Sequence, residues 1–478
     1  ELLYNNNFWV PTELGEHYYK KPPFFNWVLL ASVWLFGGFS EFALRLPTVL
    51  STIGMGLVIY WLGKKYVNPE FGQINAFLFL VAGGILFYFS TLAEIDLFYS
   101  LVTFGSFACL FHFYQTRQFY WLFISCYLLG AIGTLTKGPP SPVFLAFSIG
   151  AYFLYKKDFK RLFTLPHFTG IFIYLLIVGG FFFQYQKYHS IPDFLSGLWG
   201  QSSEMTVLEQ DRFKLVKHLI QFPLDTLKDT LPSTLLIVFA IRKGLWKMLR
   251  QNELIAFAVI LFLVNIPVYW LSPGSKQRYI YMLYPFLFMT FSWCYLQTRH
   301  ITDWRSKAFR ILSGVLIATL ALGTLALNFV PDLDFLSYRL PFSLISFAGL
   351  TIVFYIYIRQ PRLTLATLIL ATVIARIVFD LTVLPQRAHN SNAQKDKALA
   401  AEISAIVGQE DLYIYQSGRI SFTTVYYLDI LRRKPLVRNY EQQKEAYYLA
   451  PPNWINAPHE KLMEFDYKGT QIVLFRFR

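Results

Sequence analysis

Charged residues and cysteines are both scarce in this chain. Lys, Arg, Asp and Glu make up 15% of its 478 residues, whereas a soluble globular protein has about 25%. The three cysteines, Cys109, Cys126 and Cys294, all fall inside apolar runs, so they do not form the disulfide framework of a small secreted protein. Together with a hydrophobic fraction of 55%, this composition predicts a membrane protein with many apolar helices.

The residue spacings of common metal and nucleotide sites are also missing. The eight histidines are scattered without the spacing of a zinc site, and residues 386–478 contain no glycine-rich nucleotide pattern. A net charge of +14 is typical of nucleic-acid-binding proteins, but here the positive residues lie in short loops between apolar spans. We therefore expect no nucleic-acid partner and interpret the charge as a topology signal.

Apolar runs of roughly 16–22 residues, long enough to cross a membrane, follow one another along most of the chain. We place them at 43–63, 72–90, 96–115, 118–136, 140–155, 168–187, 231–246, 254–271, 278–297, 308–329, 341–359 and 363–384. The shorter run 24–36 is expected to form an interfacial or re-entrant helix. The predicted fold is therefore an α-helical polytopic membrane protein with about 12 transmembrane helices and additional interfacial helices.

Lys and Arg are concentrated in alternate loops, which the positive-inside rule makes cytoplasmic. The outer side then receives loops 1–42, 91–95, 188–230 and 272–277. We expect a transmembrane domain over 1–385 and a small extracytoplasmic α/β domain over 386–478. The patterns in the second domain predict helices at 391–407 and 422–431 and strands at 412–415, 435–437, 447–450, 462–467 and 471–477.

Two acidic residues, Glu94 and Asp96, lie where a predicted span meets the outer surface. A carboxylate pair of this spacing can hold a divalent ion, position a sugar hydroxyl or act as a general base. Alternatively, both acids cap the helix that continues from Leu97, because acidic side chains are favoured at a helix N-terminus. The residues alone leave both interpretations open.

A rigid basic motif, Tyr18-Tyr19-Lys20-Lys21-Pro22-Pro23, precedes the first apolar run. Paired prolines fix an extended backbone and withhold two N–H donors, so the lysines are held at the edge of an apolar surface. This arrangement suits an anion whose other end is a lipid, such as a polyprenyl phosphate. The alternative is that the lysines extend to lipid headgroups beside an aromatic belt.

Further cations are predicted at the same membrane surface. Lys137 ends one span, Lys276, Arg278 and Tyr279 belong to a tight turn, and Arg45 opens the first full span. We expect these residues to surround a cavity opposite the two carboxylates, although helix-end lysines commonly extend to the membrane surface without other function.

The long outer loop contains Trp199-Gly-Gln-Ser-Ser-Glu204 and Glu209-Gln-Asp-Arg212. Aromatic, amide and carboxylate side chains are the composition of carbohydrate sites, but an amphipathic surface helix has the same composition.

The order of these motifs resembles the bacterial polyprenyl-phosphate-sugar-dependent glycosyltransferases of the GT-C class. That class includes the lipid A aminoarabinose transferase and the protein O-mannosyltransferases. The resemblance covers residues 1–385, and the α/β tail suits the aminoarabinose-transferase branch. The motifs that carry it are Tyr18-Tyr-Lys-Lys-Pro-Pro, Glu41-Phe-Ala-Leu-Arg-Leu-Pro47, Glu94-Ile-Asp96, Leu135-Thr-Lys-Gly-Pro139 and Ser272-Pro-Gly…Arg278-Tyr.

The resemblance implies that a monomeric enzyme of the bacterial inner membrane moves a sugar from an undecaprenyl phosphate carrier to a lipid, glycan or protein acceptor. It assigns Lys21 to the carrier phosphate and Asp96 to a divalent metal ion or the donor. The candidate catalytic residues are Asp96 and Glu94, Asp96 being also the candidate metal ligand. The candidate substrate-binding residues are Lys21, Tyr18, Arg45, Lys137, Glu204, Arg212, Lys276, Arg278 and Tyr279.

The sequence departs from the family in one respect. The resemblance places the principal catalytic carboxylate and a first transmembrane helix upstream of Glu1, so we expect this chain to lack that carboxylate. A flippase or transporter of lipid-linked sugars and a polysaccharide polymerase are the alternative functions. Charges near the bilayer midplane would favour a transporter, and only Arg376 and Asp380, spaced as an intrahelical ion pair, raise that possibility.

Overall fold

The computed structural model describes residues 1–206 and 212–478, with only the backbone described for 201–206 and 212. The chain divides into two compact units. One unit comprises Glu1–Pro23, Gln184–Asp193 and Pro385–Arg478, and the other comprises Phe24–Phe183 and Phe194–Leu384.

The larger unit is built from α-helices. In chain order they are α1 (Phe24–Leu35), α2 (Glu41–Tyr66), α3 (Pro69–Leu80), α4 (Ile95–Gln115), α5 (Phe119–Lys137), α6 (Pro140–Tyr155), α7 (Leu165–Tyr185), α8 (Ile191–Thr206), α9 (Arg212–Asp229), α10 (Leu245–Leu249), α11 (Glu253–Asn265), α12 (Pro267–Trp270), α13 (Tyr284–Thr298), α14 (Trp304–Ala326), α15 (Arg339–Arg359) and α16 (Thr364–Asn390). A π-helical segment, Ile85–Phe89, leads towards α4, and 3₁₀ segments Ser233–Ala240 and Gln277–Leu283 precede α10 and α13.

Eight helical segments among the described residues are long and apolar enough to cross a membrane. They are α2, α4, α5, α7, α11 with α12, α14, α15 and α16; a 3₁₀ turn of three residues extends α14 at its C-terminal end and α16 at its N-terminal end. A multi-pass membrane protein is therefore confirmed, whereas the larger number of predicted spans is not. The expected spans 72–90, 231–246 and 278–297 are not continuous α-helices.

The interruptions have local causes. Gly83 and Gly84 follow α3, and the π-helical segment starts immediately after them. Pro232 and Pro285 lack the N–H that an α-helix interior needs, and each stands where a 3₁₀ segment begins or ends. Hydropathy alone does not distinguish a straight span from one divided by such residues.

The smaller unit contains a five-stranded mixed sheet. Its strands are β3 (Leu412–Tyr415), β4 (Val437–Asn439), β5 (Tyr447–Ala450), β6 (His459–Tyr467) and β7 (Thr470–Phe477), in the spatial order β4-β3-β5-β7-β6. Strand β3 pairs in parallel with β4 and β5, and β7 pairs antiparallel with β5 and β6. Helices α17 (Ala393–Val407) and α18 (Phe422–Arg432) supply apolar residues to its core.

Residues 1–23 belong to this same unit. A short hairpin, β1 (Thr12–Glu13) with β2 (Glu16–His17), holds Leu14 in the core of the sheet domain. The Arg438 amide donates to the Leu14 carbonyl at 2.9 Å. The predicted strands 412–415 and 447–450 coincide with β3 and β5, whereas the strand expected at 435–437 begins two residues later.

Candidate active site

A helical hairpin brings Asp96 and Lys137 together. Asp96 lies in the first turn of α4 and Lys137 is the last residue of α5, so antiparallel packing places both at the same end of the bundle. Lys137 Nζ donates to Asp96 Oδ1 at 2.6 Å. The two side chains are 8% and 4% exposed. This pair is therefore almost fully removed from solvent.

The backbone after Lys137 fixes the lysine at that point. Gly138 has a φ of +80° and its N–H donates to the Thr134 carbonyl at 2.9 Å, which ends α5 with a residue that has no Cβ to strain. Pro140 then opens α6, where the missing N–H costs no helical hydrogen bond. The Lys-Gly-Pro-Pro motif thus ends α5 and begins α6, which keeps Lys137 at the end of its helix beside Asp96.

Arg278 extends the pair into a cluster of four charges. Its NH1 group lies 3.1 Å from Glu94 Oε1 and 2.8 Å from Oε2. Its Nε lies 3.0 Å from Asp96 Oδ2, although without the alignment of a hydrogen bond. The order Lys137, Asp96, Arg278, Glu94 alternates in sign, and the cluster has no net formal charge. These four residues are below called the ion-pair cluster.

Three tyrosine rings surround the Lys137 ammonium. Its Nζ lies 4.1 Å from the ring centre of Tyr279, 5.0 Å from Tyr99 and 5.8 Å from Tyr269. Cation–π attraction at such distances is stronger in a desolvated site than at the surface. Sequence reasoning named Tyr279 but missed the other two rings. Tyr99 follows Asp96 by three residues, so the two side chains lie on the same face of α4, and this spacing could have indicated Tyr99 as part of the site.

The two carboxylates of the ion-pair cluster differ in accessibility. Asp96 directs one oxygen to Lys137 and the other to Arg278, while the Glu94 side chain is 34% exposed. Glu94 is the residue before α4, yet its side chain makes no capping hydrogen bond. Its carbonyl accepts a hydrogen bond from Thr48 Oγ1 at 3.2 Å. The helix-capping interpretation therefore does not account for Glu94.

The ion-pair cluster does not have the ligand set of a divalent-ion site. Among the side chains that the structure describes, no three His, Cys, Asp or Glu residues converge in a way that could hold a metal. Both Asp96 oxygens already face cations, whereas Mg²⁺ and Ca²⁺ need several oxygen ligands.

A second carboxylate held in a close internal contact, the half-buried Asp229, was missed by sequence reasoning. It ends α9, and Tyr284 Oη donates to its Oδ2 at 2.7 Å. The Asp229 carboxylate also occupies the space that a side chain on Gly84 would need. Gly84 thus permits a close approach between α9 and the segment leading to Glu94. Nothing in an amphipathic pattern shows which face of α9 carries such a contact.

The remaining candidates are not part of the ion-pair cluster. Lys276 is exposed and its side chain has no hydrogen bond or ion pair within the described part of the chain. Arg45 pairs with Glu41 on the surface of α2 at 2.8 Å. Tyr18 and Lys21 are half-buried in the smaller unit. The side chains of Glu204 and Arg212 lie outside the described residues.

Comparison with known proteins finds sequence similarity over parts of this chain. Residues 20–181 match the family model described as dolichyl-phosphate-mannose-protein mannosyltransferase. An uncharacterized protein of Aquifex aeolicus is 31% identical over 186 residues, 38% of this chain and 40% of that protein. An undecaprenyl phosphate-alpha-4-amino-4-deoxy-L-arabinose arabinosyl transferase of Edwardsiella ictaluri is 29% identical over 101 residues, 21% of this chain and 18% of that protein.

Solved structures extend the likeness to almost the whole chain. ArnT from Cupriavidus metallidurans bound to undecaprenyl phosphate has a TM-score of 0.73 at 14% identity, covering 99% of this chain and 91% of that one. The apo form has a TM-score of 0.71 with the same coverage. These values show a shared fold.

The structural likeness shows that the chain is a multi-pass membrane protein with the fold of ArnT. Together with the family match over residues 20–181 and the similar arabinosyl transferases, it confirms the resemblance to the ArnT and protein mannosyltransferase type that was drawn from the motifs. The sequence alignments span less than half the length of each of the curated relatives.

Proposed function

We propose that the protein transfers a sugar from a polyprenyl phosphate carrier to a lipid, glycan or protein acceptor at the outer face of the inner membrane. The observation that carries this proposal is the ion-pair cluster, in which Lys137 and Arg278 are held in place by carboxylates. The family match supports a lipid-phosphate sugar donor. An undecaprenyl phosphate complex of a protein with this fold supports the identity of the carrier.

The reaction would proceed by displacement at the anomeric carbon. The acceptor hydroxyl forms a bond to that carbon while the bond to the carrier phosphate breaks, and the phosphate leaves with the electron pair. The acceptor proton passes to a carboxylate that acts as general base. The charge that develops on the phosphate needs fixed cations or N–H donors nearby.

Arg278 is the residue best placed to meet that charge. A guanidinium has five N–H donors, and here Nε faces Asp96 while NH1 faces Glu94. Its planar geometry allows the remaining N–H groups to contact a phosphate oxygen at the same time. Its side chain is 23% exposed, against 8% for Lys137. We therefore assign Arg278 to the phosphate and Lys137 to holding Asp96.

The two carboxylates receive different roles. Asp96 is almost completely buried between cations, so it acts as a positioning residue that orients Lys137 and Arg278. Glu94 is exposed enough to accept a hydrogen bond from a sugar hydroxyl. No step of this scheme passes through a metal ion. For Lys21 the assignment to the carrier phosphate rests on the resemblance of its motif.

Radiolabel transfer tests the proposal. Membranes that contain the full-length protein are incubated with a radiolabelled undecaprenyl phosphate sugar, and label is followed into lipid, glycan and protein fractions. We expect Arg278→Gln to reduce transfer by at least about a hundredfold, as removal of one transition-state donor does. The control Arg250→Gln removes an exposed arginine at the far end of the helical unit and should leave transfer intact.

The alternatives give different outcomes of the same experiment. Movement of label across the membrane without covalent transfer would indicate a flippase, and growth of a repeating glycan would indicate a polymerase. The charges that could favour a transporter have a structural explanation. Arg376 Nε lies 2.9 Å from Asp380 within α16, and Arg376 also donates to the Leu86 carbonyl in the π-helical segment.

A further inference from the structure

A cavity of about 590 Å³ lies at the opposite end of the helical unit from the ion-pair cluster. Arg278 precedes α13, whereas Arg299, which lines the cavity, directly follows the end of that helix. The 15 residues of α13 separate the two places by about 22 Å. The positive-inside rule predicts that this end of the bundle is cytoplasmic. The cavity is therefore distinct from the candidate active site.

The floor of the cavity is aromatic. Phe239, Tyr295 and Phe309 line it and are buried. The ring centres of Phe239 lie 5.2 Å from Tyr295 and 5.5 Å from Phe309, within the range of aromatic packing. These rings are held by their contacts with one another, so they form a fixed apolar base.

The rim of the cavity is basic. Lys307, Arg310 and Arg362 line it together with Arg299 and His300, and no Asp or Glu lines it within the described part of the chain. Lys307 and Arg362 are exposed. Neither side chain has a hydrogen bond or an ion pair among the described residues. The rim thus contains cationic groups whose charge the surrounding protein does not neutralise.

Two other rim arginines are committed to protein partners. Arg299 makes a two-pronged contact with Glu70, including NH2 to Oε2 at 3.0 Å. Arg310 uses NH2 to donate to the Ile358 carbonyl at 3.1 Å, which leaves it other N–H groups. Of the rim's lysine and arginine side chains that the structure describes, Lys307 and Arg362 are therefore the ones that can be removed without breaking an internal hydrogen bond or ion pair.

Exposed apolar residues beside the rim indicate that membrane lipid reaches it. Trp304 is 55% exposed and Ile301, on the rim, is also exposed. A tryptophan at the start of the apolar helix α14 is typical of the membrane interface, where its ring lies at the level of the headgroups. A soluble ligand would not account for these exposed residues.

We propose that this cavity binds the phosphate headgroup of an anionic membrane phospholipid. The phosphodiester would lie against Lys307, Arg310 and Arg362, because basic groups between transmembrane helices attract anionic headgroups. The glycerol backbone and upper acyl chain would contact the aromatic floor. This site is independent of the proposed sugar transfer, since it lies at the other end of the helical unit.

Lipid binding to the purified full-length protein tests this site. Native mass spectrometry in detergent counts bound phosphatidylglycerol against phosphatidylcholine as lipid is titrated in, and thermal unfolding is measured with each lipid and with inorganic phosphate. The double variant Lys307→Gln/Arg362→Gln should bind phosphatidylglycerol at least about tenfold more weakly, because each basic residue near an anionic headgroup contributes about 1 kcal/mol.

The matched control is Lys247→Gln/Arg250→Gln, which also removes two exposed cations from this end of the unit but does not line the cavity. It should bind phosphatidylglycerol as the unaltered protein does. Equal binding by the two double variants, or equal affinity for the two lipids, would overturn the proposal. Stabilisation by inorganic phosphate without any preference for phosphatidylglycerol would also overturn it, by showing a site for a soluble anion.

Discussion

Lys137 and Asp96 neutralise each other at 2.6 Å in a place where neither side chain is more than 8% exposed. Taking two charges out of water is costly, and their mutual attraction compensates only when both are present. The pair has a further partner on each side, since the tyrosine rings face the ammonium and Arg278 faces the carboxylate. The ion-pair cluster should therefore respond as one unit to substitution.

Removing one member of this pair should destabilise the protein more than removing both. We expect Lys137→Met or Asp96→Leu to cost about 3–5 kcal/mol, because each leaves a buried charge without its closest partner. The double variant should cost clearly less than the sum of the two. Thermal unfolding of the detergent-solubilised protein measures this non-additivity in a double-mutant cycle.

The exposed pair Arg45 and Glu41 is the control for that cycle. Its side chains are 50% and 60% exposed, so single substitutions to Gln should each change stability by at most about 1 kcal/mol. The opposite outcome is that the Lys137 and Asp96 substitutions change stability by no more than about 1 kcal/mol each, with effects that add in the double variant. That result would show that the buried pair does not act as a coupled unit.

The close approach of Gly84 to Asp229 leads to a second prediction. A Cβ at position 84 would overlap the Asp229 carboxylate, which accepts a hydrogen bond from Tyr284. We expect Gly84→Ala to cost at least about 1–3 kcal/mol, as overpacking of a well-packed interior does. It should also reduce sugar transfer, because the displaced segment leads to Glu94. Thermal unfolding and the radiolabel assay measure the two effects.

The neighbouring glycine supplies the control. A Cβ on Gly83 would meet only backbone oxygens at 3.4 Å or more, which is ordinary contact, so Gly83→Ala should be much milder. Shortening the acid in Gly84→Ala/Asp229→Ala should recover part of the lost stability. Equal effects of the two glycine substitutions would show that the overlap at position 84 is relieved without cost.

The sequence predicted the parts of this structure that depend on local pattern. Helical periodicity and loop charge placed Asp96 and Lys137 at the same membrane surface, and the hairpin of α4 and α5 brings their side chains into contact. Regular alternation also located β3 and β5 to the residue. Both inferences need only spacing within one or two adjacent elements.

Features that depend on distant packing were not predicted. Tyr269 faces Lys137 from a helix 132 positions away in sequence, and hydropathy does not reveal which ring meets which cation. The breaks at 83–84, 231–246 and 277–283 were also missed, because an apolar run has the same composition whether it forms an α-helix or a 3₁₀ segment. Whether such a segment forms an α-helix or a 3₁₀ helix depends on its tertiary contacts.

Asp429 of the smaller unit leads to a pH prediction. Burial raises the pKa of its carboxyl to about 7, against the opposing effect of the Leu436 N–H, which donates to Oδ1 at 2.7 Å. The unfolded chain titrates this group near pH 3.9, so the folded state binds the proton more tightly. The contribution of this proton to the stability of the folded smaller unit is fully present below about pH 4 and is lost as the pH rises to about 7.

Asp429→Asn should remove this dependence, because the amide oxygen still accepts from Leu436 but carries no charge. Pulse proteolysis of the full-length protein in urea, following cleavage within residues 385–478, measures stability from pH 5 to 8. We expect the unaltered protein to lose up to about 1.4 kcal/mol per pH unit between pH 5 and 7 relative to the variant. The control Asp411→Asn changes a carboxylate whose side chain is 58% exposed. A variant that kept the pH slope of the unaltered protein would show that Asp429 does not hold its proton in the folded state.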